Sequence, residues 1–223
     1  MTATPTDREG RRALLRGAGV YLVTEESLSA GRPSEEIVAA ALANGVRAVQ
    51  VREKDGTARR ALEIAVAARR LTRRFGALLI VNDRIDIALL AEADGVHLGQ
   101  SDLSIGDARK LLGEQALIGL SITDAGQMTG TDVAAADCLG VGAVFPTGSK
   151  QDATLTGLGL LEAVRAVAPA GVPIVAIGGI TVQNAGLAIA SGADCLAVIS
   201  AITAAPDPGR AAADLLSAIR SAR

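Results

Sequence analysis

Eight short apolar runs recur along this chain, each followed by a longer stretch of helical character. They are GVYLVT from Gly19, AVQVREK from Ala48, LLIVND from Leu78 and GVHLG from Gly95, then LIGLSI from Leu117, CLGVGAVF from Cys138, PIVAIGG from Pro173 and CLAVISA from Cys195. Near-continuous Val, Ile and Leu content is what a strand covered on both faces requires. The stretches between are Ala- and Leu-rich and amphipathic, as in PSEEIVAAALANG, TARRALEIAVAARRLTRRFG and the closing DPGRAAADLLSAIRSA. Ser34 and Thr57 stand where helix caps are wanted, and Gly45, Gly76 and Gly192 where a helix ends in a left-handed residue. Eight such units predict an α/β chain folded as a single (β/α)8 TIM barrel over residues 19–223, with residues 1–18 as an N-terminal extension. An open doubly wound sheet is the alternative. No strong sequence repeat stands out beyond the eightfold alternation.

With aromatics at 1%, the core must be built from Ala, Val, Leu and Ile. The formal net charge of -2 supplies no basic field for a polyanion, and few rings are present for base stacking, so nucleic acid is not an expected partner. Cys138 and Cys195 lie in separate apolar runs and read as buried free thiols. The first eighteen residues mix Asp7 and Glu9 with several arginines, and no apolar run reaches 18 residues without Gly or a charge. Neither a secretory signal nor a membrane span is therefore expected, which predicts a cytoplasmic chain.

In a barrel of this kind the chemistry gathers at the C-terminal strand ends. Side chains alternate along QVREK, so Gln50, Arg52 and Lys54 share one face while Val51 and Glu53 share the other. Val49 and Val51 suit the helix layer, which turns the two cations and the amide toward the barrel mouth. An anionic ligand explains them there. Asn82 and Asp83 close the third run; Asp83 either caps the following helix or serves a ligand. Asp102 follows the fourth run, and Ser104 with Asp107 already supplies the cap of the next helix. Two carboxylates beside two cations suit a hard cation held together with phosphate, as Mg2+ commonly is. His97 is the only histidine and falls mid-strand, where a satisfied interior group is the ordinary reading. Ser121 ends the fifth run. Thr147, Gly148, Ser149 and Lys150 in FPTGSK combine hydroxyls, a loosened backbone and an ammonium group, a set that suits an anion or a surface turn. Gly178 and Gly179, then Ile199 and Ser200, occupy the turns after the last two runs, where phosphate recurs in this fold.

Taken in order, these segments resemble the thiamine phosphate synthase family over nearly the whole barrel. QVREK resembles that family's QLREK, VNDR and GVHLGQSD its two aspartate segments, FPTGSK its TxTK loop, and IGGI and VISAI its phosphate turns. Ser149 departs from the family's usual Thr, and ITD follows Ser121 where VHS or VHT is usual.

The resemblance implies a transferase that joins an aminopyrimidine pyrophosphate to a thiazole phosphate by a dissociative, Mg2+-assisted reaction. It implies Asp83 and Asp102 as Mg2+ ligands. Gln50, Arg52, Lys54, Asn82, Ser121 and Lys150 would hold the pyrimidine and its pyrophosphate, with Val51 and Glu53 counted in the same segment. Thr147, Ser149, Gly179, Ile199 and Ser200 would hold the thiazole phosphate, with Gly178 close by and Gly148 counted among the substrate-binding residues. Arg52, Lys54, Ser121 and Lys150 form the expected catalytic set. The expected partners are the two small phosphorylated substrates, and a homo-oligomer is compatible with the pattern. A thiazole tautomerase and a non-catalytic phosphate-ligand sensor are the alternatives on the same fold.

Overall fold

The computed structural model describes residues 3–148 and 154–223. Its strands are β1 (Val20–Val23), β2 (Ala48–Val51), β3 (Leu78–Asn82), β4 (Gly95–Leu98), β5 (Leu117–Ile122), β6 (Cys138–Val141), β7 (Ile174–Ile177) and β8 (Cys195–Val198). All pair in parallel in chain order, and β1 also pairs with β8, so the sheet closes into a barrel. Each of the eight apolar runs supplies one strand.

The helices are α1 (Arg8–Gly17), α2 (Ser34–Ala43), α3 (Ala58–Phe75), α4 (Ile85–Leu90), α5 (Ile105–Leu112), α6 (Thr131–Ala135), α7 (Gly157–Val167), α8 (Ala185–Ala190), α9 (Ser200–Thr203) and α10 (Pro208–Ala222). Among the described residues none is long and apolar enough to cross a membrane.

Alternation sorts the strand side chains into two cores. Val20, Leu22, Val49, Val51, Leu79 and Val81 point outward into the layer shared with the helices. Tyr21, Val23, Ala48, Leu78, Ile80, Cys138, Val175 and Cys195 fill the barrel interior. Both cysteines are free and buried. Leu15 of α1 joins this interior cluster, fully buried, so the N-terminal extension contributes a plug to the barrel.

The caps follow the sequence in part. Thr57 Oγ1 accepts from Arg60 N at 3.2 Å, and Gly76 ends α3 at φ 62°. Ser34 does not cap. It is the first residue of α2, and its hydroxyl donates to Glu53 Oε1 at 3.1 Å instead.

One motif repeats at β4, β6 and β8. Asp94, Asp137 and Asp194 immediately precede β4, β6 and β8. Each carboxylate accepts the backbone N–H of a residue on the preceding strand: Leu79 at 2.8 Å, Ile118 at 2.9 Å and Ile174 at 2.8 Å. Each also takes a guanidinium from the helix packed alongside: Arg69 to Asp94 at 2.8 Å, Arg109 to Asp137, and Arg165 to Asp194 at 2.5 Å. Arg11 and Arg8 of α1 add contacts to Asp94 and Asp137 at 3.1 and 3.7 Å. These brackets stand at the N-terminal ends of the strands and leave the opposite end for chemistry.

Candidate active site

The C-terminal strand ends surround one cavity of about 860 Å³. Parity along β2 places its residues as the alternation requires. Gln50 faces inward, 5% exposed, and its Nε2 donates to the Tyr21 hydroxyl at 2.9 Å. Burial holds the Tyr21 phenol well above its usual range, so the hydroxyl stays protonated. Arg52 also lines the cavity, and its Nη1 donates to Glu25 Oε2. Burial raises the Glu25 carboxyl, and the Arg52 charge opposes that rise.

Val51 and Glu53 do not share this wall. Val51 packs into the outer core, as its parity demands. Glu53 accepts from Thr24 Oγ1 at 3.1 Å, Glu26 N at 3.0 Å and Ser34 Oγ at 3.1 Å. It brackets the loop after β1 against the start of α2, so its side chain serves the frame and contacts no part of the cavity. Glu25, in contrast, lines the cavity although the sequence reading passed over it. The polar-strand-end signal was there, one residue beyond the Thr24 that closes the first run.

Asp83 sits at φ 58° just past β3, and its N–H donates to the His97 carbonyl at 2.9 Å. It does not cap α4, whose N-cap residue is Arg84. Freed from that role, its carboxylate lies 3.5 Å from Lys54 Nζ. Burial raises the Asp83 carboxyl first, the negative Asp102 carboxylate beside it raises it further, and Lys54 pulls it down. Asp102 Oδ2 accepts Gly99 N at 2.7 Å, while Ser104 caps α5 as its spacing predicts.

This donor set fits a hard divalent cation. Two adjoining carboxylates from neighbouring strand ends repel one another, and one lysine offsets only part of their charge. Among the described residues no cluster of three or more metal-ligating side chains forms. Mg2+ is suited to such a set, because it keeps waters and takes phosphate oxygens for its remaining positions.

Beyond the carboxylates, Asn82, Gln100 and Ser121 line the same wall. His97 Nε2 lies 2.9 Å from Ser121 Oγ, and Gln100 Nε2 donates to the Ser121 carbonyl at 2.7 Å. Burial lowers the imidazole to about 4, so His97 is neutral near pH 7. Across the cavity stand Thr147, Gly148, Gly178, Gly179, Ile199 and Ser200. Ser149 and Lys150 lie outside the described residues. Gly178 and Gly179 adopt φ 103° and 62°. A Cβ on Gly179 would come 2.3 Å from the Pro146 carbonyl, so glycine also lets the turns after β6 and β7 nest together. Ser200 opens the short helix α9 after β8, the place where this fold sets a phosphate.

A family model described as thiamine monophosphate synthase matches residues 20–202. The chain belongs to that family. The thiamine-phosphate synthase of Haloarcula marismortui is 48% identical over 206 residues, 92% of this chain and 98% of that protein. That of Moorella thermoacetica is 48% identical over 205 residues, covering 92% and 97%. The solved structure of thiamine phosphate pyrophosphorylase from Pyrococcus furiosus superposes with a TM-score of 0.83 at 36% identity, covering 93% of this chain and 98% of that one. All three names are those of the synthase, and none is that of a tautomerase or a sensor. The chain is a transferase of this family.

Proposed function

We propose that the chain condenses an aminopyrimidine pyrophosphate with a thiazole phosphate, giving thiamine phosphate and pyrophosphate, in the cytoplasm. The observation that carries this reading is the two-sided cavity. One wall gathers Arg52, Lys54, Asp83 and Asp102, and the facing wall gathers the Gly178–Gly179 turn and Ser200. One side suits a pyrophosphate with its cation, the other a monophosphate.

The carbon–oxygen bond to pyrophosphate breaks first, and the electron pair leaves with the pyrophosphate. The thiazole nitrogen then donates its lone pair to the resulting pyrimidine-methyl cation. No strong general base is needed, and stabilising charge on the leaving group is the main catalytic task. Arg52, oriented by Glu25, and Lys54 hold the leaving group's oxygens. Lys150 of the FPTGSK segment adds a third cation. Gln50, Asn82 and Ser121 orient the pyrimidine end. Thr147, Gly148, Ser149, Gly178, Gly179, Ile199 and Ser200 form the monophosphate side. Asp83 and Asp102 would hold Mg2+, and such an ion would supply charge neutralisation at the diphosphate.

The test supplies both substrates and measures pyrophosphate and thiamine phosphate, with Mg2+ and with chelator. Stoichiometric formation of both products, lost on chelation, is the expected result. Turnover of a thiazole alone, with no need for the pyrimidine, would point to an isomerase instead.

A further inference from the structure

The one histidine of the chain is built into the barrel interior at a cost in packing space. A Cβ on Gly119 would lie 2.5 Å from His97 Nδ1 and 2.8 Å from Cys138 Sγ. A Cβ on Gly140 would lie 2.8 Å from His97 Cε1 and 3.0 Å from Nε2. Two neighbouring strands thus carry glycine where the imidazole ring lodges. The ring's Nε2 lies 2.9 Å from Ser121 Oγ. Nδ1 is buried and has no hydrogen-bond partner among the described residues.

A neutral imidazole carries one hydrogen, and these surroundings choose its place. A hydrogen on Nδ1 would leave a buried N–H without an acceptor, which folded proteins rarely tolerate. A bare lone pair there is the lesser penalty. With the hydrogen on Nε2, the ring donates to Ser121 Oγ and occupies an acceptor lobe of the hydroxyl. The Ser121 hydrogen then points away from His97 and is free to meet a ligand in the cavity that Ser121 lines.

We propose that His97 is a positioning residue: as its Nε2–H tautomer it fixes the Ser121 hydroxyl as a donor toward an acceptor atom of the pyrimidine substrate. This rests on the reading of the cavity given above. His97 also borders the cavity, and the role proposed for it acts through Ser121. A hydroxyl whose rotor is set in advance needs no reorientation when substrate arrives, and cannot turn its lone pairs on that acceptor.

Because His97 is the chain's only histidine, ring-nitrogen NMR of the untagged, full-length, isotopically labelled protein sees one imidazole. A neutral Nε2-protonated pattern near pH 7 is expected, and an Nδ1-protonated pattern would overturn the proposal. Kinetics supply the second measurement. A donor bond to a charged or strongly polar acceptor corresponds to roughly 10–100-fold in kcat/KM. Ser121→Ala and His97→Leu are each expected to lose about that factor for the pyrimidine substrate. The double variant should be no worse than Ser121→Ala, and His97→Gln, whose amide N–H reaches the same place, should recover part of the loss. Equal losses from His97→Leu with and without Ser121 would show an independent packing role and refute the coupling. If the wild-type protein released no pyrophosphate from the two substrates, the functional reading would fail. The ring-nitrogen pattern would still decide the direction of the His97–Ser121 bond.

Discussion

Removing the Asp137 carboxylate separates the stabilising end of the barrel from its chemical end. Asp137 is 2% exposed. In Asp137→Ala the Ile118 N–H loses its acceptor, and an unsatisfied buried donor costs about 1–3 kcal/mol. Arg109, whose side chain is 13% exposed, loses its counter-charge. It keeps the carbonyls of Ala116 at 2.5 Å and Gly113 at 3.2 Å, which hold the guanidinium in place without neutralising it. Together these give the range for breaking one partner of a buried pair, about 3–5 kcal/mol. For a domain of this length that corresponds to a fall in Tm of about 6–20 °C. Asp137→Asn keeps an oxygen for Ile118 and should lose less. Thermal and urea unfolding measure the stability, and the two-substrate assay at 25 °C measures the folded fraction's activity. That activity should stay within about twofold of wild type, since Asp137 precedes β6 and the cavity lies beyond its other end. A Tm change under about 2 °C would refute the energetic argument. A large loss of activity in a fully folded variant would refute the division of labour.

The two walls of the cavity should separate in binding titrations. Lys54→Ala is expected to weaken the pyrimidine pyrophosphate about 10–100-fold with little effect on the thiazole phosphate, and Ser200→Ala the reverse; equal effects of both on both would sink the two-sided layout. Asp102→Asn keeps an acceptor for the Gly99 N–H and changes only charge, so it should fold normally yet require at least about tenfold more Mg2+. An unchanged Mg2+ dependence would remove Asp102 from the metal site. Burial pushes the Cys195 thiol up to about 12 and Cys138 higher still, so alkylating agents at pH 8 should leave the native chain unmodified and label both cysteines after unfolding. Fast labelling of the native protein would contradict that burial.

The barrel was legible in the chain because strands sheathed on both faces must be apolar throughout, and eight such runs leave few architectures. The two faces of QVREK were legible for the same reason: Val51 cannot face water and Arg52 cannot face the helix layer. What escaped depends on contacts distant in sequence. Half of the α1 plug is charged, REGRRALLRG, and only Leu15 is fully buried, so it shows no broad apolar face. Glu53 looks like one more charge in a charged segment until Thr24, Glu26 and Ser34 arrive around it. The aspartates ahead of β4, β6 and β8 repeat as AD before an apolar run, a short pattern whose meaning lies in arginines 25–29 residues upstream. The place of Asp83 was open because a helix cap and a cavity carboxylate occupy the same strand end.

Those arginine–aspartate brackets also bear on how the chain comes together. Each closes a segment of 25, 28 or 29 residues and ties two consecutive strands to the helix that precedes them. The last pairing of the barrel joins Tyr21 to Ala197, across almost the full chain. Closing a longer loop costs more entropy, so the bracketed strand pairs form early and the β1–β8 seam zips last. The two ends of the chain meet at that seam. Arg223 donates to the carbonyls of Arg16 and Asp194, bridging the end of α1 to the start of β8, while α10 packs along α2 and α8 on either side. The termini act as the clasp of a ring whose links are already made, and hydrogen exchange should find β1 opening before β4 to β6.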